Sequence, residues 1–170
     1  MGFVLILGGA RAGKSGFAER LASASGLPVT LIATAAALDS EMVERIERHR
    51  ALRPQAWSTV EEPLDLSRAM TVVADPCFLI VDCLTLWVSN LLHAARGSEE
   101  IGVLAVAAAQ QLAARRGAVV SNEVGLGIVP ANELARTFRD SLGRVNTVFA
   151  DCAERSMLMV AGRVVELDAP

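Results

Sequence analysis

The chain has 170 residues, 52% apolar and 21% charged, with a net charge of −3 and a pI near 5.4. That length and apolar content suffice for one well-filled core, so a single domain over residues 1–170 is expected. No dense Lys/Arg run is present, which argues against nucleic acid or an anionic membrane as partner and in favour of a small-molecule substrate.

The first apolar run, Phe3–Leu7, reads as a strand. It has no basic leader and is cut short by glycines, so neither a signal peptide nor a spanning helix is expected, and a cytoplasmic protein is. Gly8, Gly13, Lys14 and Ser15 then follow the spacing Gly-x-x-x-x-Gly-Lys-Ser, and a helix with Phe17 and Leu21 begins at about residue 14 and runs to 25. Strand, glycine loop and helix in this order form a Walker A phosphate loop. The backbone N–H groups of Gly8, Gly9, Ala10, Arg11, Ala12 and Gly13 are expected to converge on phosphate oxygens, and the helix N-terminus adds partial positive charge. Lys14 reaches the β and γ phosphates, Ser15 ligates Mg²⁺, and the glycines are expected to make room for the nucleotide. Of the sixteen basic residues fifteen are arginine, and Lys14 is the one lysine. An enclosed phosphate favours a compact ammonium over a wide planar fork, which is a reason for lysine to persist there.

Strand Val29–Ala33 and a helix over 39–51 come next. Asp39 or Ser40 is placed to cap that helix, whose apolar positions are Met42, Val43 and Ile46. Extending the stripe by three residues reaches His49, which is therefore expected on or beside the inward face, while Glu44, Glu47, Arg48 and Arg50 mostly project elsewhere. Taken alone, such a histidine either packs or acts. A helix is expected over 63–74, and CFLIVD then gives strand Phe78–Val81 ending in Asp82. An acid at that place is a Walker B residue that would hold Mg²⁺ with Ser15; capping the helix over 84–95 is its other possible role. His93, at the end of that helix, has no comparable neighbours.

A helix over 99–116, a strand Ala118–Ser121 and a helix over 131–152 complete the alternation. In the last helix Leu134, Phe138, Leu142, Val145, Phe149 and Cys152 recur at steps of three and four, with Pro130 just before it. Met157–Val160 and Val164–Glu166 read as a hairpin turning at Ala161–Gly162. The pattern predicts an α/β fold, a P-loop NTPase (RecA-like) three-layer sandwich whose mostly parallel sheet carries an antiparallel strand near the C-terminus. Ligands of such sheets gather at the carboxyl ends of the strands, so Thr34 and the Ser121-Asn122-Glu123 cluster are expected in the same crevice, Glu123 as a base or a substrate contact. Cys77, Cys83 and Cys152 lack zinc-site spacing and are read as reduced and structural.

GGARAGKS, Ile32-Ala33-Thr34, LDSEMVERIERHRALRP, WSTVEEP, VDCLTLWVSNLL and SNEVGLGIVPANELARTFRDSLGRVN occur in this order. Together they resemble the bifunctional adenosylcobinamide kinase/adenosylcobinamide-phosphate guanylyltransferase family of cobalamin biosynthesis, from Leu5 to about Val160. The resemblance implies two reactions. In one, the γ phosphate of ATP or GTP passes to a hydroxyl of adenosylcobinamide. In the other, a histidine attacks the α phosphate of GTP and hands GMP on to adenosylcobinamide phosphate, giving adenosylcobinamide-GDP. The family's nucleophile falls in Arg-Ile-x-x-His-x-x-x-Arg-Pro, here Arg45, Ile46, His49, Arg53 and Pro54, so His49 inherits the role. Neutral imidazole is a good nucleophile at physiological pH. Arg53 is placed to neutralise phosphate charge. By the same resemblance guanosine or its ribose is held near Glu61 or Glu62, with Glu61 preferred, and by the Thr34-Ala35-Ala36 turn, and the protein is a homotrimer. Ala12 stands where the family commonly has serine, a change that a position contributing its N–H tolerates. Arg136, Arg139 and Arg144 bind substrate phosphate or a neighbouring subunit, or form a solvated face. Two other readings are a plain P-loop small-molecule kinase in which His49 packs, and a non-enzymatic nucleotide switch or motor subunit.

Overall fold

The alternation of strand residues decides which side chains meet which helices. A computed structural model describes residues 2–36, 40–51 and 53–169, without the side chains of Glu41 and Arg45. The expected cap Asp39 lies outside the described residues. In chain order the elements are β1 (Phe3–Gly8), α1 (Lys14–Ala24), β2 (Val29–Ala33), α2 (Ser40–Ala51), β3 (Ser58–Glu61), α3 (Leu66–Thr71) and β4 (Phe78–Asp82). There follow α4 (Leu84–His93), α5 (Ser98–Ala113), β5 (Gly117–Val120), α6 (Glu133–Cys152), β6 (Arg155–Val160) and β7 (Arg163–Leu167).

One sheet has the order β3-β2-β4-β5-β1-β6-β7, parallel throughout except for the β6–β7 hairpin. Phe3, Leu5, Leu7, Ile32, Leu79, Val81 and Val119 point to one face and are covered by α3, α4, α5 and α6. Ile6, Val29, Leu31, Ala33, Phe78, Ile80 and Val120 point to the other, where Ala18 and Ala22 of α1 pack. The layers are thus unequal, and period-two alternation assigns each strand residue to its layer. Phe3 and Phe149 meet edge to face, centroids 6.0 Å apart, and tie β1 to α6.

The elements differ from expectation at several ends. Asp65 accepts from the Arg68 N–H and starts α3 there, so 63–65 are not helical. Asn132 caps α6: its side chain accepts from the Ala135 N–H at 2.7 Å, so the helix begins at Glu133, two residues later than expected. β3 was not expected at all. It is a four-residue edge strand in which Val60 alone packs on the core, so it carries almost no apolar signal. The hairpin turns at Ala161 and Gly162 with φ of 50° and 72°, as expected for its two-residue loop.

Candidate active site

Gly13, with φ 97°, turns the chain into α1, and Lys14 is the first helical residue. Lys14 is 8% exposed, and its Nζ donates to the carbonyls of Gly8 and Gly9 at 2.9 and 2.7 Å. The ammonium therefore sits over the loop's centre. Gly9, Ala10 and Arg11 are exposed, with Arg11 at φ 57°. Gly8 has a reason other than the one expected from the sequence. A Cβ there would lie 2.4 Å from the Met159 carbonyl oxygen, so the close approach of β6 by itself requires glycine at this position. The Gly162 N–H donates to the Ala12 carbonyl at 3.2 Å, so the β6–β7 turn braces the loop.

Between β1 and β4 lies one strand, β5, which separates the phosphate loop from Asp82 by two strand spacings, about 10 Å. Helix α1 closes that distance by packing across β5 and β4. Ser15, in its first turn, reaches Asp82 with Oγ 3.3 Å from Oδ2. A hydroxyl and a carboxylate side by side are hard oxygen donors suited to Mg²⁺.

Register completes the floor. Glu61 pairs with Ala33, and Ala33 with Asp82. By strand parity the three side chains share the α1 face. Ala33 is small, so a cleft remains between two acids about 10 Å apart. Helix α2 forms the opposite wall. The cleft is lined by Ser15, Ala33, Ala35, Glu61, Asp82, Cys83 and Leu86 on one side and by Met42, Val43, Ile46, Glu47, His49, Arg50 and Arg53 on the other.

This changes the expected placement of His49. The Met42–Ile46–His49 stripe does not enter the core: none of the described α2 residues belongs to either apolar cluster, and His49 is exposed in the cleft. Glu47 and Arg50, expected to project elsewhere, also line it. Arg50 donates to Glu61 across the cleft wall. Arg53 is half-buried, and desolvation lowers its pKa while the charge of Asp82 opposes that shift.

Thr34 is placed differently from expectation. It is fully buried, and its hydroxyl donates to the Cys83 carbonyl at 2.7 Å and accepts from the Cys83 N–H at 2.8 Å. Its role is to join the ends of β2 and β4, while Ala35 faces the cleft and Ala36 is half-buried outside its lining. Of the two acids in WSTVEEP, Glu61 faces the cleft, whereas Glu62 accepts from the N–H groups of Leu64 and Asp65 at 3.1 Å and shapes the turn before α3. The Glu123 N–H donates to the Gly8 carbonyl, and its carboxylate is folded back on the Gly125 N–H. Arg136 donates to the Pro130 and Ala131 carbonyls, and Arg139 pairs with Asp140. His93 Nδ1 lies 2.8 Å from the Ser89 carbonyl, away from the cleft.

Burial and the neighbouring Asp82 push the Cys83 thiol up to about 11. Beyond Glu47 and Arg50, two further contributors were not expected from the sequence. Leu86 comes one turn into α4. Glu19 stands four residues after Ser15, a spacing that puts both on one helix face, and it shares a small cavity with Ser15, His49, Arg53, Trp57 and Asp82.

Residues 4–167 match the family model for cobinamide kinase/cobinamide phosphate guanyltransferase. The chain belongs to this family. It is 48% identical over 162 residues to the bifunctional adenosylcobalamin biosynthesis protein CobP of Pseudomonas aeruginosa, covering 93% of this chain and 92% of that one. Two CobU proteins of the same description, from Escherichia coli K12 and Salmonella typhimurium, are 38% and 39% identical, covering 96% of this chain and 98% of each. A solved Pyrococcus horikoshii OT3 protein superposes with a TM-score of 0.59 at 10% identity, over 97% of this chain and 85% of that one, which is a likeness of fold. The family is one of bifunctional enzymes with kinase and guanylyltransferase activities, and the P-loop architecture described above is its scaffold. Among the described residues no helix is long and apolar enough to cross a membrane.

Proposed function

We propose that this single domain, residues 1–170, phosphorylates adenosylcobinamide with ATP or GTP and then carries GMP from GTP to adenosylcobinamide phosphate through a covalent bond on His49. The reading rests on one juxtaposition: His49 and Arg53 line the same cavities as Ser15 and Asp82. In the kinase step the substrate hydroxyl oxygen attacks the γ phosphorus, the nucleoside diphosphate leaves with the bonding pair, and the hydroxyl proton is released. In guanylylation a lone pair of the His49 imidazole attacks the α phosphorus. The N–P bond forms, the bond to the bridging oxygen breaks, and pyrophosphate leaves. An oxygen of adenosylcobinamide phosphate then attacks the same phosphorus, and the N–P electrons return to His49.

The loop residues 8–13 donate N–H groups to the phosphates, and Lys14, already directed at the loop's centre, neutralises them. Ser15 and Asp82 would hold Mg²⁺, which when bound supplies charge neutralisation on the phosphates. Arg53 supplies a partly desolvated positive charge beside His49, where low local polarity strengthens its pull on phosphate oxygens. Glu61 and Ala35 face the cleft where the nucleoside lies, and Glu61 offers its carboxylate to the ribose hydroxyls or the base; Thr34 and Ala36 act through the backbone turn.

The tip between β5 and α6 exposes Leu126, Ile128 and Val129 at 85%, 98% and 61%, with Leu134 nearby at 65%. An exposed apolar tip of this kind supports assembly of copies, and the number three is carried over from the family resemblance alone. The nucleotide substrates and three free cysteines suit the cytoplasm. Incubation with GTP labelled at the α phosphate tests the reading. Acid-labile label is expected on the wild type and none on His49→Ala, which keeps phosphoryl transfer to cobinamide. Label surviving the substitution would move the nucleophile elsewhere, and an unlabelled wild type would leave a plain kinase.

A further inference from the structure

The cleft beside His49 measures about 190 Å³ and, on the function proposed above, is taken by the nucleotide. The corrin macrocycle of the acceptor therefore lies elsewhere and sends only its reacting arm to the centre. Along the outer side of α1, Gly16, Glu19, Arg20, Ser23 and Ala24 face Pro54 and Trp57 across an open groove of about 660 Å³. Glu19 and Trp57 also line the small cavity that contains Ser15, His49, Arg53 and Asp82. Those last four in turn line the nucleotide cleft. Groove, small cavity and cleft therefore adjoin one another, and the groove lies on the α1 side of the phosphate site, where Ala35 and Glu61 of the nucleoside end take no part. Displacement at phosphorus requires such an arrangement, because nucleophile and leaving group stand on opposite sides of it.

We infer that this groove binds the corrinoid acceptor. It deepens the function proposed above and rests on it. The half-buried Trp57 indole offers a flat face to a flat ring. Gly16, Ser23 and Ala24 present almost no side-chain relief, so the ring can approach the helix closely. Glu19, Arg20 and the Ser23 hydroxyl supply acceptors and donors for a fringe of carboxamides. The arm bearing the hydroxyl, or later the phosphate, passes between Glu19 and Trp57 to reach Ser15 and His49.

Steady-state kinetics with cobinamide on the full chain test this, using Trp57→Leu and Ser23→Trp. Ser23 is exposed and about two helical turns beyond Ser15, so an indole there blocks the groove without touching the phosphate loop. In both variants the KM for cobinamide should rise about tenfold while the KM for nucleotide stays at the wild-type value. Label uptake from GTP without acceptor should match wild type in Ser23→Trp. Unchanged cobinamide KM in both variants would overturn the assignment. A change in oligomeric mass of Ser23→Trp by light scattering, with unchanged KM, would overturn it too and make the groove a contact between copies. Failure of the wild type to turn over cobinamide would instead overturn the functional reading itself, and this one with it.

Discussion

Gly8 offers a sharp test, because a phosphate loop invites another explanation for it. In Gly8→Ala the new Cβ would lie 2.4 Å from the Met159 carbonyl oxygen and 3.3 Å from the Met159 Cβ, at a backbone φ of 149°. A side chain at such a φ costs about 1–3 kcal/mol. Forcing β1 and β6 apart by several tenths of an ångström adds a similar overpacking cost, roughly 1–3 kcal/mol. The reduced freedom of the unfolded chain returns about 0.4–1 kcal/mol. The net loss is about 1–5.5 kcal/mol, which for a chain of this length lowers Tm by roughly 2–20 °C. Gly9 is the control: a Cβ there meets no heavy atom within 4 Å, so Gly9→Ala should stay within about 0.5 kcal/mol of the wild type. Thermal unfolding followed by circular dichroism, without nucleotide, measures both. A Gly8→Ala protein melting with the wild type, or a Gly9→Ala protein melting as low as Gly8→Ala, would refute the claim that β6 dictates this glycine.

Lys14→Ala should weaken nucleotide binding roughly 10- to 100-fold by calorimetry and cripple both half-reactions, since a charged hydrogen-bond donor is worth about 1.5–3 kcal/mol; unchanged affinity would count against the phosphate-loop assignment. In Asp82→Asn the Mg²⁺-dependent turnover should collapse while Tm holds, because the Asp82 carboxylate is partly exposed and its side-chain bond from Ser15 is a long 3.3 Å; a wild-type Mg²⁺ titration curve would contradict this. With the Cys83 thiol pushed up to about 11, roughly one molecule in a thousand carries the thiolate at pH 8. Alkylation at Cys83, read by mass spectrometry, should therefore be slow at pH 8 and accelerate steadily toward pH 11; rapid labelling at pH 8 would show the thiol in a different environment. The neutral thiol is favoured in the fold, so its contribution to stability is present at neutral pH and is lost as pH rises toward 11.

Much of the site was legible because it depends on local chemistry. Gly13-Lys14-Ser15 can be recognised from spacing, and Asp82 from the apolar run that ends in it. Glu61 and Glu62 could not be separated by pattern, since adjacent residues on a strand point to opposite sides and only knowing that β3 exists fixes which. That strand escaped notice because an edge strand with one core contact has little apolar signal. His49 was read correctly as continuing an apolar stripe, but the stripe's destination was not in the sequence. An amphipathic helix specifies that one face leaves water, and a ligand cleft satisfies that as well as a core does. Thr34 shows the reverse case: its position after a strand suggested a ligand contact, yet its hydroxyl is fully used by the Cys83 backbone.

By itself the amino-acid order determined the phosphate loop, the acid that answers it, the parallel α/β alternation and the C-terminal hairpin, because each rests on interactions within a few residues or on a repeating burial pattern. The tertiary structure alone decided which residues share the cleft. Insertion of β5 between β1 and β4, the register that sets Ala33 between Glu61 and Asp82, and the lean of α1 toward β4 are long-range pairings. They are fixed by the fit of whole surfaces, and no short stretch of chain encodes them.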